Sequence, residues 1–185
     1  MKSPIERKVI AVEAPWLLLE EVINRGSTTF PKEDLKTAYD CIQCGECVGG
    51  CPSGRRTGWH VRSTIRKMQL GLREELLNSD EIWLCTTCYT CQERCPRQLM
   101  ITDLVRTIRN IAFEQGHAKD SHLKIAKNML ELGHTVPPTE EMKKMRERLG
   151  LNALPPTALQ FPEALSDVKK LAEATGFSNK VSKAK

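Results

Sequence analysis

The cysteines of this chain form one repeated pattern, and that pattern constrains the fold more than any other feature. Eight cysteines occur among the 185 residues. Residues 41–52 read CIQCGECVGGCP, and residues 85–96 read CTTCYTCQERCP. Both copies have the form C-x2-C-x2-C-x3-C-P. The sequence therefore contains an internal repeat whose unit is built around four thiols.

The spacing of the cysteines predicts two [4Fe–4S] clusters. Three thiolates of a cluster can come from one C-x2-C-x2-C loop, and the cysteine before the proline then binds the other cluster of a two-cluster protein. On this rule one cluster is bound by Cys41, Cys44, Cys47 and Cys95, and the other by Cys85, Cys88, Cys91 and Cys51. Such an exchange ties the two halves together, and we expect the clusters to lie close enough for electron tunnelling.

Residues beside the cysteines are candidates for lining the clusters. Glycines in the first loop permit a tight turn and leave backbone N–H groups free to bond to sulfur. For Gly49 we favour a role in the turn alone over a hydrogen bond to sulfur. Apolar side chains between the ligands would exclude water, and a proline after the fourth cysteine fixes the backbone. The predicted lining residues are Ile42, Gly45, Val48, Pro52, Thr87, Tyr89 and Pro96.

Two other interpretations of the cysteines are weaker. Structural zinc sites are typically built from separated C-x2-C pairs, in which a third and fourth cysteine at these spacings have no role. A disulfide framework is disfavoured in a reducing compartment. Iron–sulfur ligation uses every cysteine, so it leaves no open iron position and no spare thiol. We therefore expect no catalytic residue on this chain, which would act as one component of a larger oxidoreductase.

Hydrophobic periodicity predicts a mainly α fold. Val61, Ile65, Met68 and Leu72 recur at helical spacing after the first motif, in a helix expected to close near residues 78–80. Leu104, Val105, Ile108 and Ala112 do so after the second. Further helices are predicted over residues 15–24, from a Ser121 cap to Gly133, from Thr139 to Gly150 and over residues 162–175. Residues 9–12 (VIAV) are the only β-like run.

These patterns divide the chain into three expected parts. Residues 1–38 form an N-terminal arm with one helix, residues 39–116 an α-helical ferredoxin-like domain with two [4Fe–4S] clusters, and residues 117–185 a helical extension ending in a short basic tail. The formal net charge of +5 lacks the dense basic stripe of a nucleic-acid binder. No targeting segment or apolar run of membrane-spanning length is evident, so we expect a cytoplasmic protein without nucleic-acid or membrane partners.

The residues around the cysteines resemble the C subunit of heterodisulfide reductase. The resemblance is strongest in residues 41–47 (CIQCGEC) and 83–91 (WLCTTCYTC), and it covers about residues 39–116. No adjacent Cys-Cys pair is present, whereas relatives that fuse this module to the catalytic part carry CCG motifs. The plant-type C-x4-C-x2-C segment of succinate dehydrogenase iron–sulfur subunits is also missing.

The resemblance implies a place in an electron-transfer chain. In the family, two [4Fe–4S] clusters relay electrons from a flavin-bearing A subunit to a catalytic B subunit, which reduces the CoM-S-S-CoB heterodisulfide in methane-forming archaea. A hydrogenase or a formate dehydrogenase supplies the electrons in the flavin-based bifurcating form. The alternatives left open are an equivalent component of a sulfur-metabolising or quinone-linked complex, and a zinc-binding interaction or nucleic-acid module.

Overall fold

The fold is all-helical in the part of the chain that the computed structural model describes, residues 15–183. These residues form eleven α-helices and three 3-10 segments and no β-strand, which confirms the predicted mainly α class. The predicted β-like run at residues 9–12 lies outside the described residues. The helices are α1 Pro15–Gly26, α2 Lys32–Lys36, α3 Glu46–Gly49, α4 Val61–Gln69, α5 Arg73–Leu77, α6 Thr90–Glu93, α7 Ile101–Glu114, α8 Asp120–Leu132, α9 Glu140–Arg148, α10 Pro162–Ala174 and α11 Phe177–Lys183. The 3-10 segments are Thr37–Asp40, Asp80–Leu84 and Ala158–Gln160.

The internal repeat of the sequence is also a repeat of structure. Each copy consists of a 3-10 segment, a cysteine loop, a one-turn helix and a longer helix, which is α4 in the first copy and α7 in the second. The two cysteine loops are 44 residues apart in sequence, from Cys41 to Cys85. The two long helices correspond at a separation of 40 residues, and Val61, Ile65 and Met68 share full burial with their counterparts Ile101, Val105 and Ile108.

One hydrophobic core joins both copies of the repeat. The buried faces of α4 and α7 pack with four side chains from α1, which are Leu18, Leu19, Val22 and Ile23. Helix α1 therefore belongs to the same compact unit as the cysteine loops, which extends to Ala112. Trp59, only 1% exposed, is among the largest side chains in this core. The core thus fixes the two long helices against which the cysteine loops are placed.

The predicted single helix after the first motif is wrong in one respect. The chain leaves α4 after Gln69, and Gly71 adopts φ +68° before α5 begins at Arg73. Leu72, which continues the helical period in the sequence, therefore lies between two helices. A left-handed residue is far less costly for glycine than for other residues, so the helix ends here although the hydrophobic pattern does not.

Residues from Phe113 onward form a second compact unit. Within this unit the rings of Phe113, its first residue, and Phe177, at the start of α11, stack 6.5 Å apart. Helix α9 begins directly after Thr139, where a helix was predicted to start, and the Thr139 hydroxyl caps it by accepting from the Met142 N–H at 3.3 Å. Ser121 does not cap α8, because the helix begins at Asp120 and the cap position falls on Lys119, two residues before Ser121.

The short basic tail predicted at the C-terminus is helical as far as residue 183. Residues 177–183 form α11, in which Val181 is only 2% exposed and Lys180 pairs with Glu114 at 2.7 Å. The domain boundaries at 38/39 and 116/117 stay predictions. Among the described helices, none combines the length and the apolar character needed to cross a bilayer.

Candidate metal centre

The two cysteine loops share an unusual backbone conformation. Gln43 and Gly45 flank the second cysteine of the first loop with φ of 58° and 89°, and Thr87 and Tyr89 do so in the second loop with 52° and 62°. Three of these four are not glycine, so the left-handed geometry is sterically costly there. Its presence at matching positions shows that both sequences are folded around the same arrangement of three thiols.

A one-turn helix in each copy delivers the fourth cysteine. In α3 the N–H groups of Val48 and Cys51 donate to the carbonyls of Gly45 and Val48 at 2.9 and 3.1 Å. In α6 the corresponding bonds join Gln92 to Tyr89 and Cys95 to Gln92, also at 2.9 and 3.1 Å. The fourth cysteine therefore leaves its own loop in the same direction in both copies.

The first loop and the last cysteine of the second motif surround one cavity. Cys41, Cys44, Cys47 and Cys95 all line one small pocket. Buried Ile65, Leu99 and Ile101 form its apolar wall, and Arg62 and Arg97 also border it. The structure thus brings together the four thiols that the sequence assigned to one cluster, although the fourth belongs to the other motif.

The remaining four thiols gather around Cys91. Its electrostatic neighbours are the thiols of Cys85, Cys51 and Cys88, the second set predicted from the sequence. Cys51 and Cys91 are both buried, at 7% exposed each. Cys91 is also an electrostatic neighbour of Cys47. The two sets of thiols are therefore adjacent.

The charge balance of these thiols fits a metal cluster. Burial raises the pKa of Cys47 to about 11, and the neighbouring thiols of Cys91, Cys41 and Cys44 contribute to that rise. Burial likewise raises the pKa of Cys91. Thiolates packed in this way need a compensating positive group, and a bound metal centre deprotonates its thiols outright. Within the described residues, no three His, Cys, Asp or Glu side chains are close enough to hold a single metal ion.

Several hydrogen bonds reach the cysteine sulfurs. Gln43 Nε2 donates to Cys41 Sγ at 3.3 Å, and the Gly54 N–H donates to Cys51 Sγ at 3.3 Å. Thr102 Oγ1 lies 3.7 Å from Cys91 Sγ. Cys88 Sγ lies 3.5 Å from Thr90 Oγ1, and this contact lowers the pKa of the Cys88 thiol. Donors directed at sulfur are among the features that set the potential of an iron–sulfur centre.

The predicted lining residues divide by position. Ile42, Gly45 and Pro96 border the cavity of the first thiol set, whereas Val48 borders only the cleft beside it. Thr87 and Tyr89 occupy the left-handed positions of the second loop, and Pro52 is exposed after Cys51. Ile42 is 63% exposed, so it shields the site only in part. The lining role of these seven residues stays a prediction.

No sequence pattern singled out Arg109, which binds the backbone of the 3-10 segment that precedes the second loop. Its guanidinium donates to the carbonyls of Ile82, at 2.8 Å, and Cys85, and it stacks on the ring of Trp83 at 5.8 Å. Burial lowers the pKa of Arg109, and the Cys85 thiol opposes that shift. Gln69, its counterpart in the first copy, donates to the Ala38 carbonyl at 2.9 Å. The first copy therefore has a neutral side chain where the second has a half-buried cation.

Gly54 is a second residue that the cysteine pattern did not indicate. A Cβ at this position would lie 2.8 Å from the Trp59 carbonyl oxygen and 3.4 Å from Cys51 Cβ, so Gly54→Ala must shift the backbone that donates to Cys51. We expect Gly54→Ala to lower the iron content of the purified chain and to speed cluster loss in air. Gly58→Ala is the matched control, because no atom lies within 4 Å of a Cβ there. If Gly54→Ala and Gly58→Ala lose their clusters in air at the same rate, Gly54 has no special role in holding the cluster.

Comparison with known proteins agrees with this geometry. A family model described as a 4Fe-4S dicluster domain matches residues 37–99. The iron–sulfur C subunit of the CoB–CoM heterodisulfide reductase of Methanopyrus kandleri is 43% identical over 159 residues, covering 86% of this chain and 83% of the relative. The C subunit of the H2:CoB-CoM heterodisulfide, ferredoxin reductase of Methanothermobacter thermautotrophicus is 46% identical, covering 85% and 89%. The C subunit of the ferredoxin:CoB-CoM heterodisulfide reductase of Methanosarcina mazei is 47% identical, covering 74% and 84%.

The helical fold and the two sets of thiols define an iron–sulfur protein with an electron-transfer role. At these identities and this coverage, the chain belongs to the family of heterodisulfide reductase C subunits. It is therefore a component of an oxidoreductase complex, as the sequence predicted.

Proposed function

We propose that this chain binds two [4Fe–4S] clusters and relays electrons within a cytoplasmic heterodisulfide reductase complex. One cluster is held by Cys41, Cys44, Cys47 and Cys95, and the other by Cys85, Cys88, Cys91 and Cys51. When bound, the clusters supply one-electron carriers whose potentials depend on hydrogen bonds, charge and solvent exposure. The observation that carries the proposal is the cavity in which Cys95 joins the three thiols of the other motif.

The residues of the chain have defined parts in this role. The left-handed loop residues orient three thiols of each set, and the one-turn helices direct Cys51 and Cys95 into the opposite set. Buried Ile65, Leu99 and Ile101 keep water from the inner side of the first set. No cysteine remains for bond-breaking chemistry, since the two sets use all eight.

The proposed partners are a flavin-bearing A subunit and a catalytic B subunit that reduces the CoM-S-S-CoB heterodisulfide. Through them the chain would receive electrons that originate at a hydrogenase or a formate dehydrogenase. The names of its relatives support this proposal, since they refer to CoB-CoM heterodisulfide together with ferredoxin, H2 or, for a Methanococcus maripaludis protein, formate.

Metal and sulfide analysis of anaerobically purified chain tests the proposal. We expect about eight irons and about eight acid-labile sulfides per chain, and visible absorption that dithionite bleaches. We expect no stoichiometric amount of zinc. A colourless protein that contains zinc and no sulfide would contradict the proposal and favour the zinc-binding alternative. A yield of about four irons per chain would leave an electron carrier with a single cluster and overturn the two-cluster assignment.

A further inference from the structure

A basic cleft lies beside the first cysteine loop. It has a volume of about 650 Å³, and its walls are the loop residues Gln43 and Gly45 on one side and one face of α4 on the other. Arg62, Arg66 and Lys67 line it, and no carboxylate among the described residues does. Arg62 borders the cavity of the first thiol set as well. The cleft is therefore positively charged and continuous with the surroundings of the proposed cluster.

The cations of the cleft are only partly satisfied within the chain. Lys67 pairs with Glu75 at 2.9 Å. Arg66 reaches only the amide oxygen of Gln69, at 3.4 Å, and among the described residues neither it nor Arg62 has a carboxylate partner. Arginines of this kind bind carboxylates through paired charge-assisted hydrogen bonds. The cleft thus offers two guanidinium groups to an acidic ligand.

The second copy of the repeat shows what occupies the equivalent space. Tyr89 stands where the first copy has Gly45, and its hydroxyl donates to Asp103 Oδ1 at 3.2 Å. Arg106, the counterpart of Arg66, donates to the same hydroxyl at 3.1 Å and lies 3.6 Å from Asp103. Asp103 is the counterpart of Ser63. The second copy therefore fills its groove with an aromatic ring and neutralises its arginine with a carboxylate.

The first copy lacks both of these groups. Glycine at position 45 leaves the groove empty, since a Cβ there would have only Arg62 Nη1 within 4 Å, at 3.5 Å. Serine at position 63 leaves Arg66 without the carboxylate that its counterpart has. The second copy supplies a ring and a carboxylate from its own sequence. In the first copy, a segment of another protein would have to supply them.

We propose that this cleft is the docking site for an acidic segment of the protein that exchanges electrons with the chain at the first thiol set. A carboxylate of that segment would pair with Arg62 and Arg66, which brings the partner against the loop that carries Cys41, Cys44 and Cys47. Charge complementarity at such a surface speeds association and fixes orientation. The inference rests on the proposed electron-transfer function, because that function requires a partner close to the thiols.

Binding of full-length, cluster-loaded chain to the separately produced flavin-bearing and catalytic subunits tests the proposal. We expect Arg62→Glu/Arg66→Glu to weaken binding of one of these two proteins by roughly tenfold or more, and to reduce the salt dependence of that binding. Gly45→Tyr/Ser63→Asp, which reproduces the second copy, should block the same partner. Lys124→Glu/Lys127→Glu on α8 is the control, because it changes the net charge equally at a distance from the cysteine loops in sequence.

Two measurements make the result unambiguous. Iron and sulfide content is measured on every preparation, so a wild-type chain without clusters contradicts the proposed function, whereas loaded variants that bind both partners normally contradict only the docking site. Inorganic phosphate is titrated into the wild type and into Arg62→Glu/Arg66→Glu. Phosphate binding that requires the arginines, with partner binding unaffected, would assign the cleft to a small anion and overturn the proposal.

Discussion

Replacement of Cys51 by serine is expected to destroy the metal site of the second motif and to spare that of its own motif. Cys51 follows the first loop in sequence, yet its thiol neighbours Cys91 and lies apart from the cavity of the first set. Loss of one ligand should therefore reduce the iron content from about eight to about four per chain. The effect is large because the iron without a protein ligand is open to water, and we expect the whole second cluster to be lost from this site.

Alkylation of cysteines under anaerobic conditions distinguishes the two sites. In Cys51→Ser we expect Cys85, Cys88 and Cys91 to react with iodoacetamide, while the thiols of the first set stay protected by bound metal. Cys95→Ser is the reciprocal control, for which the protected and reactive sets exchange. Reaction of Cys41, Cys44 and Cys47 in Cys51→Ser, with protection of the second loop, would show that each motif binds its own cluster.

The sequence predicts the helical class and the grouping of thiols because both depend on spacing. Val61, Ile65 and Met68 are buried on one face of α4 as the helical period requires. The spacing of the cysteines also indicates the two sets, since in two-cluster proteins the cysteine before the proline binds the opposite cluster. The helical period arises from local geometry, which a sequence pattern records directly, whereas the exchange of the fourth cysteine follows from a rule for two-cluster proteins.

Features that depend on tertiary position could not be predicted. Leu72 continues the helical period, so the break at Gly71 is invisible to a periodicity argument. Arg109 acts on a carbonyl 24 residues away, at Cys85, and no local pattern indicates such a contact. The open groove at Gly45 becomes evident only when Tyr89 is seen to contact Asp103 in the second copy. A comparison of the two repeats position by position is the one signal that could have suggested it.

Replacement of Arg109 by glutamine is expected to lower the reduction potential at the second thiol set. The substitution gives the second copy the neutral side chain that Gln69 provides in the first. The half-buried guanidinium lies beside Cys85, as its contacts with the Cys85 carbonyl and the Trp83 ring show. A nearby cation stabilises the reduced, more negative form of a cluster. At an effective dielectric constant of about 20, two unit charges about 8 Å apart interact by about 2 kcal/mol, so removal of this charge should shift the potential by on the order of 100 mV for one electron.

Conservative and reciprocal variants separate the charge of Arg109 from its hydrogen bonds. Arg109→Lys keeps the charge and should leave the potential close to that of the wild type. Gln69→Arg should raise the potential at the first set and leave the second unchanged. Potentiometric titrations followed by electron paramagnetic resonance measure the potentials of both clusters. In Cys51→Ser the second cluster is expected to be lost, so the signals that remain belong to the first.

Two outcomes would contradict the charge effect. If Arg109→Lys lowers the potential as far as Arg109→Gln, the hydrogen bonds and not the charge set it. Unchanged potentials in Arg109→Gln would leave Arg109 with only a structural role in the 3-10 segment. The expected result makes Arg109 a residue that raises the potential of the second set through its charge, a contribution that the neutral Gln69 does not make in the first copy.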